Sequence, residues 1–230
     1  MKNFSFNARA FLIFAGFLFL FFTQPLHAQL FKGGLVIGGN FTQIDGDGIG
    51  GYTKLGFQAG GTSQIAISDR WHLSLDILYS QKGSASSSSL TSFQGVPFKI
   101  RLNYIDLPLM IKFHDKKGGF IFGAGLSLNR LLSYKYLEML GGKMEDMTSS
   151  RFIEEKPFNR WDLNGVGSLG YMFSDVWGIE VRVHYTVLPI RKDCSTSTLS
   201  NCGWYNNTIA LRTLFLFSAL GKKNDKAGDL

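Results

Sequence analysis

The stretch WHLSLDILYSQKG, residues 71–83, places apolar side chains at every second position from Trp71 to Tyr79. With the exception of Leu78, the residues between them are polar. This period of two predicts a β-strand with one apolar and one polar face. A soluble β-protein buries such an apolar face in its own core, whereas a membrane barrel turns it outward to lipid. The rest of the sequence must decide between these two directions.

The amino terminus has the three parts of a secretory signal peptide. Lys2 and Arg9 supply positive charge, residues 10–22 form an unbroken apolar run, and the predicted cleavage site follows Ala28. The run is shorter than the ~20 residues that a transmembrane helix needs. We therefore assign residues 1–28 to a signal peptide, with an uncleaved anchor as the alternative.

The charge of the mature chain is mildly positive. Removal of Lys2 and Arg9 lowers the formal net charge from +7 to +5. Because the chain carries an export signal and no nucleic-acid-binding motif, we expect no nucleic-acid partner. The charge is expected to face anionic lipid or carboxylates inside a barrel.

Eight segments with period-two alternation follow the signal, and none carries a long helical stripe. The short connections SDR, HDKKG and SDV alternate with longer polar ones. Outer-membrane barrels show this rhythm, with tight periplasmic turns and longer external loops. The sequence predicts an all-β, eight-stranded antiparallel up-and-down transmembrane β-barrel in residues 29–220, with both termini periplasmic and a periplasmic tail at 221–230. The segments cover approximately residues 33–44, 53–67, 71–82, 97–113, 119–136, 161–173, 177–190 and 207–220.

Three observations indicate that the apolar faces look outward to lipid. The polar face of residues 55–68 carries small or neutral side chains, which suit the crowded interior of an eight-stranded barrel. The apolar faces carry almost no charge, and Lys or Arg at mid-bilayer would cost about 2–4 kcal/mol. Aromatic residues form two bands typical of membrane girdles: Trp71, Phe113, Phe120, Phe173, Trp177 and Phe217 near the short turns, and Phe41, Tyr79, Tyr134, Trp161 and Tyr185 near the long loops. A soluble lipocalin-like barrel is the alternative.

Several stretches of the chain resemble the outer-membrane β-barrel family that includes the PorT-like proteins. The most specific are LDILYSQKG at 75–83 and YIDLPLMIKF at 104–113, and the similarity covers most of residues 31–190. The resemblance implies an eight-stranded barrel of a bacterial outer membrane, with some members tied to secretion and gliding machinery. The chain departs from the family pattern where it continues past its last strand as GKKNDKAGDL.

Charged residues on the polar phase of the strands have two interpretations. In the first, opposed charges fill a narrow lumen and satisfy one another. In the second, His184 is a general base oriented by Glu180, as in a lipid-modifying barrel enzyme. The first is favoured because no Ser on a neighbouring strand is placed beside His184 by the sequence. The residues of this predicted lumen network are Asp76, Asp162, Glu180, Arg182, His184 and Arg212.

The loop GDGIGG at 46–51 has the G-x-G-x-x-G spacing, but a strand follows it where a dinucleotide site needs a helix. Asp45 and Asp47 are spaced as in a calcium loop, yet Ile49 takes a ligand position and the required Glu is missing. The sequence therefore predicts no cofactor and no metal. A later loop, residues 137–160, carries three Met residues that suit either a partner surface or a cover for the barrel mouth.

The two cysteines, Cys194 and Cys202, follow an export signal and lie between two predicted strands. Outside the cytoplasm such a pair usually oxidises, so a disulfide is expected. Two free thiols or a metal pair are the alternatives, and zinc is disfavoured because no His lies nearby.

Three cations are candidates for contact with lipopolysaccharide. Arg130 is on the predicted lipid-facing phase of its strand, about 25 Å from the band at the short turns. Arg101 is predicted at a comparable height on the adjacent strand, with Lys99 farther out. Together they would contact outer-leaflet phosphates. The alternative is a β-bulge near Tyr104 and Ile105 that turns Lys99 and Arg101 into the barrel mouth.

These patterns predict a non-enzymatic integral outer-membrane protein with a structural, assembly-factor or loop-mediated binding role, linked to secretion machinery if the family resemblance extends to function. Its expected partners are outer-membrane lipid, lipopolysaccharide and proteins that contact the long external loops. A lipid-modifying barrel enzyme is the alternative.

Overall fold

The structure is a computed structural model that describes residues 31–86, 97–115, 117–149, 157–192 and 203–217. The predicted signal peptide, the tail at 221–230, Cys194 and Cys202 lie outside the described residues. No helix in the described ranges is long and apolar enough to cross a membrane.

Eight long strands and one short strand form a single antiparallel sheet. The strands are β1 Phe31–Asp45, β2 Lys54–Ala66, β3 Trp71–Ala85, β4 Phe98–His114, β5 Phe120–Leu140, β6 Lys143–Asp146, β7 Trp161–Met172, β8 Trp177–Thr186 and β9 Tyr205–Leu216. Each long strand pairs with the next long strand along the chain, and β9 pairs with β1. The sheet therefore closes, which confirms the predicted eight-stranded antiparallel barrel. The sequence does not predict the short β6, which in the described part of the chain pairs with the end of β5 alone and forms a hairpin with it.

The two ends of the barrel differ in the length of their connections. The short connections join β2 to β3, β4 to β5 and β7 to β8. These turns are closed by backbone bonds such as Ile67 N–H to Trp71 O at 2.8 Å and Phe173 N–H to Trp177 O at 3.0 Å. Longer connections join the strands at the opposite end, as the sequence predicted. We call these the short-turn end and the long-loop end.

The apolar faces of the strands point away from the lumen. On β3, Leu75 and Ile77 are 46% and 59% exposed, whereas the intervening Asp76 is fully buried. Leu35 and Ile37 on β1 repeat this arrangement, with exposed fractions of 55% and 60%. The lipocalin-like alternative is therefore wrong, because a soluble barrel would bury these side chains.

An aromatic band surrounds much of the short-turn end. Trp71 and Phe113 are in edge contact, with ring centroids 5.2 Å apart. Phe173 stacks on Trp177 at 4.6 Å and contacts Tyr171 at 5.1 Å. These rings lie on the outer surface at one height, as the girdle of a membrane barrel does.

A β-bulge interrupts the pairing of β4 with β5. Asn103 lies opposite Ser133, whereas the next residue, Tyr104, lies opposite Leu131. Leu132 is thus the extra residue on β5, and the side-chain alternation of that strand changes phase there.

The bulge corrects two sequence predictions. The sequence predicts Tyr134 in the outer aromatic band, but beyond the bulge its side chain faces the lumen, with its ring 5.3 Å from that of Phe158. Strand β4 keeps its alternation, with Ile100 fully buried and Lys99 and Arg101 on the opposite face. The bulge therefore does not turn these two cations into the barrel mouth.

Candidate functional site

The lumen contains a buried cluster of ion pairs near its middle. The Arg212 guanidinium donates to Asp76 Oδ2 at 3.0 Å and to Glu180 Oε2 at 2.7 Å. Arg182 contacts Asp76 at 2.9 Å and Glu180 at 3.2 Å, and Lys112 Nζ lies 3.4 Å from Glu180. We call these five residues the charge network. Because they come from four strands, β3, β4, β8 and β9, the network joins distant parts of the barrel wall.

A second polar layer lies between the charge network and the long-loop end. Lys82 Nζ is 3.0 Å from Asp106 and lies over the ring of Tyr104. Asp162 accepts hydrogen bonds from Asn164 Nδ2 at 2.6 Å and from Asn206 Nδ2 at 3.1 Å. Every carboxylate in this layer therefore has a donor within reach, as buried charges require.

The formal charges cancel within the charge network and the polar layer. Four cations are buried in these two layers, Lys82, Lys112, Arg182 and Arg212, and four anions, Asp76, Asp106, Asp162 and Glu180. A narrow interior of low dielectric tolerates charge only when it is paired in this way.

Glycine makes room for one of these long side chains. A Cβ at Gly123, whose alternation faces the lumen, would lie 3.2 Å from Lys112 Cγ and 2.5 Å from Ser168 Oγ. Lys112 passes through the space that a side chain at position 123 would occupy. Glycine at this position therefore allows Lys112 to pack in the charge network.

His184 is buried beside the charge network but does not form a catalytic pair with Glu180. Its Nδ1 has no hydrogen-bond partner among the described residues. The Glu180 carboxylate instead accepts from Arg182, Arg212 and Lys112. A carboxylate engaged by three cations is a poor orienter for a general base.

An apolar cluster closes the lumen at the long-loop end. It contains Ile44, Ile49, Phe98, Ile100, Leu102, Tyr104, Phe158, Ile190 and Trp204. The Arg191 guanidinium carbon lies 4.5 Å from the ring centroid of Trp204 and 5.6 Å from that of Phe158. We call this cluster the apolar plug. At this end the interior is apolar. In mid-barrel, by contrast, the interior is charged and the exterior is apolar.

The loop between β1 and β2 contributes to the apolar plug through Ile49. Asp47 Oδ1 accepts the Ile49 N–H at 2.9 Å and holds this turn. Burial raises the pKa of the Asp47 carboxyl to about 6, and repulsion from Asp45 acts in the same direction. In the described part of the chain, no group of three or more His, Cys, Asp or Glu side chains could hold a metal ion.

The three predicted lipid-contact cations lie on the outer face but not in one group. Arg130 is paired with Ile105 and lies over the Trp161 ring, 5.5 Å from its centroid. Arg101 is paired instead with Lys135, beyond the bulge. Arg130 therefore lies at the edge of the apolar surface, whereas Lys99 and Arg101 lie farther toward the long-loop end.

Of the predicted lumen residues, the structure brings Asp76, Glu180, Arg182 and Arg212 into one cluster and places Asp162 in the layer above. Sequence reasoning missed Lys82, Asp106 and Lys112. Their signal was present, because each continues the inward phase of its strand, β3 for Lys82 and β4 for the other two.

The sequence matches the outer membrane protein beta-barrel domain family over residues 24–190, more than half of the chain. No protein of curated function matches it. Its fold is similar to that of Ail, the attachment invasion locus protein of Yersinia pestis, at 13% identity and a TM-score of 0.47, covering 81% of this chain and 98% of that chain. Neisserial surface protein A is similar at 11% identity and a TM-score of 0.43, covering 82% and 97%. OprG from Pseudomonas aeruginosa follows at 15% identity and a TM-score of 0.38, covering 82% and 94%. By the family match, the chain belongs to the outer membrane protein beta-barrel domain family, which indicates the bacterial outer membrane as its location.

Proposed function

We propose that the protein is a closed, non-enzymatic outer-membrane barrel that acts through its long loops, as a structural, assembly or binding protein. The observation that carries this proposal is the filled lumen. A balanced set of ion pairs occupies its middle, and the apolar plug covers the long-loop end. A barrel of eight strands has an interior only wide enough for side chains, so function is expected on its outer surface.

The state of His184 supports a non-enzymatic role. A lipid-modifying enzyme needs a base that reaches the substrate and a group that orients it. His184 is 3% exposed, and its expected orienter Glu180 is held by three cations. A lipid at the outer surface would have no path to this imidazole.

The proposal includes an orientation, with the long-loop end outside the cell and both chain termini in the periplasm. The export signal and the alternation of short and long connections support this orientation. The resemblance of residues 75–83 and 104–113 to PorT-like proteins supports a further proposal, that the barrel works beside secretion machinery.

The β5–β6 hairpin is the described part of the loops that best suits a partner. Met139, Leu140 and Met144 are each about two-fifths exposed on it, at 38%, 40% and 42%. Thioether side chains adapt to varied surfaces, which is why Met is common at binding sites. Among the described residues, strand β6 pairs with β5 alone.

Two experiments test this function. The lipids of a deletion strain are compared with those of the same strain carrying wild-type protein or His184→Gln. We expect identical lipid profiles, and loss of one defined lipid modification in both the deletion and the His184→Gln strain would support the enzyme instead.

The second experiment places a photo-crosslinking residue at Met144 on the long-loop hairpin, with Lys117 in a short turn as the matched control. In intact cells we expect discrete protein adducts from position 144 alone. Adducts from position 117 alone would contradict both the proposed orientation and a role for the long loops.

A further inference from the structure

Four cations lie near one another toward the long-loop end, just beyond the exposed apolar side chains of the lipid-facing band, and we call them the rim cations. They are Lys54, Lys99, Arg101 and Lys135. Three of them are on the outward face of their strands, whereas Lys54 is buried. Arg101 and Lys135 are direct partners across β4 and β5. The Lys54 ammonium is close enough to Lys99 and Arg101 to be repelled by both. Like charges held side by side destabilise a sheet, so this arrangement requires an explanation outside folding.

The rim cations have few protein acceptors. Lys54 is 4% exposed, and its Nζ donates to the carbonyl of Leu55. Arg101 Nε is buried with no hydrogen-bond partner in the described residues. Asp146 is near enough to interact electrostatically with Lys135. Among the described residues, no Asp or Glu forms an ion pair with the other three rim cations. An external anion can therefore be received by Lys99 and by the terminal nitrogens of Arg101 on the outward face, and by Lys54 only from within a cavity that it lines.

A cavity of about 530 Å³ opens beside these cations. Lys54 and Lys99 line it together with the apolar side chains Leu55, Phe98, Met139 and Met144. Leu55 is 65% exposed and is also the first residue of the lipid-facing band on β2. The cavity thus joins a cationic wall to the surface that contacts acyl chains.

We propose that this cavity binds a phosphate group of an outer-leaflet glycolipid. Lys54 and Lys99, which line the cavity, would donate to the phosphate oxygens. Arg101 lies outside the lining, on the same face of β4 as Lys99, and would add a bidentate contact at the mouth of the cavity. The acyl chains would run from Leu55 along the apolar barrel surface. The long stems of Lys99 and Arg101 lie over the apolar rim while their charged ends reach the phosphate level. The proposal rests on the orientation proposed above, with the long loops outside the cell.

Arg130 is not part of this site. Its guanidinium lies over Trp161, and its partner across the strands is Ile105. The bulge at Leu132 and the intervening residues separate it from Lys135 and hence from Arg101. The site is therefore built from β2, β4 and β5 beyond the bulge, rather than from the three cations Lys99, Arg101 and Arg130.

The test measures lipid retention by mass spectrometry of the purified, folded barrel in detergent. The probes are bisphosphorylated lipid A, the same lipid after removal of its phosphates, and the acyl-free bisphosphorylated disaccharide. Wild type is compared with Lys54→Gln/Lys99→Gln/Arg101→Gln and with the control Arg70→Gln/Lys117→Gln/Lys192→Gln, whose three cations are exposed and away from the cavity. The single variant Lys99→Gln, on the outer face and in the cavity lining, accompanies the triple variant in case the triple variant fails to fold.

We expect the triple variant to retain at least tenfold less bisphosphorylated lipid A than wild type, the single variant to retain about threefold less, and the control to match wild type. Removal of the lipid phosphates should reduce wild-type retention to the level of the triple variant. Equal retention by wild type and the Lys99→Gln variant would overturn the site. Equal retention of the acyl-free disaccharide and of the lipid would overturn the lipid as its source. Because this measurement uses purified protein, its result is independent of the crosslinking test of orientation.

Discussion

At the scale of single residues, Glu180 is the centre of the lumen. One carboxylate receives contacts from Lys112, Arg182 and Arg212, while Asp76 shares two of those cations. Removing one partner from a buried ion cluster leaves a charge without compensation, and this costs more than the intact pair contributes. Residues of the charge network are therefore expected to be sensitive to single substitutions.

Replacing Glu180 with Gln should destabilise the barrel by about 3–5 kcal/mol, because three buried cations would then share only Asp76. The free energy of unfolding, measured by urea titration in lipid vesicles, checks this value. Asp175→Asn in the exposed turn before β8 is the matched control and should change stability by less than about 0.5 kcal/mol. A Glu180→Gln variant as stable as wild type would contradict the role assigned to the network.

Asp47 should make stability depend on pH. Its pKa is about 6 in the folded protein and near the ordinary value of 3.8 in the unfolded chain. The folded state thus binds the proton more tightly, so the contribution of Asp47 is most favourable below pH 3.8 and is lost as pH rises through 6. Relative to Asp47→Asn, the unfolding free energy of wild type should fall between pH 4 and pH 6.5 and level off above. A difference that stays flat over this range would show that the carboxyl is not perturbed.

At the scale of elements, the strands extend beyond the lipid-facing band and exchange the polarity of their two faces. On β4, the inward side chains are Asp106 and Lys112 in mid-barrel and Ile100 and Leu102 at the long-loop end. Alternation in the sequence predicts a β-strand in both parts of β4. It does not indicate whether lipid or water lies outside the barrel, so the exchange of polar and apolar faces in KIRLNYIDLPLMIKF resembles a bulge in β4.

Much of the fold follows from period-two alternation and turn spacing, since both act locally along the chain. The bulge does not, because Leu132 is an extra residue only relative to its partner strand. The same reason explains why Tyr134 was misassigned. The sequence predicts that these charged side chains point inward. Which cation pairs with which anion depends on the relative stagger of strands that are not neighbours, and the sequence does not show this stagger.

The apolar plug should hold the long-loop end together. Phe158 is 5% exposed and contacts both Tyr134 and Trp204, so it fixes the segment before β7. Phe158→Ala should cost about 3–5 kcal/mol, as for other buried aromatic side chains. It should also increase proteolysis between β6 and β7 relative to Phe217→Ala, an outward residue at the opposite end. Unchanged stability and unchanged cleavage would show that the plug does not hold this segment.

The disulfide between Cys194 and Cys202 remains a prediction. The base of its loop is held by backbone bonds between Arg191 and Trp204, at 2.9 Å, and between Ile190 and Trp204, at 2.8 Å. Such a base favours pairing of two cysteines in the loop above it, and closure of this short loop should contribute about 2–3 kcal/mol. Alkylation under denaturing, non-reducing conditions should find no free thiol. Recovery of two alkylated cysteines would refute the bond.

At the scale of the whole molecule, the barrel is an apolar cylinder whose interior is filled from the middle to the long-loop end. The charge network, the polar layer around Lys82 and the apolar plug follow one another along the axis. An open cavity of about 540 Å³ lies at the short-turn end, lined by residues such as Lys32, His72 and His114. This cavity ends at the side chains that fill the lumen, so the described structure contains a mouth but no channel.

The central claim, that the lumen is closed, is tested most directly by single-channel recording. Folded wild-type protein is inserted into planar lipid bilayers, and its insertion is verified by its heat-modifiable migration in detergent gels. We expect the current to stay at the baseline of the bare bilayer, because ions cannot pass a lumen filled by paired charges and apolar side chains. Steady conductance steps of uniform size would contradict the account.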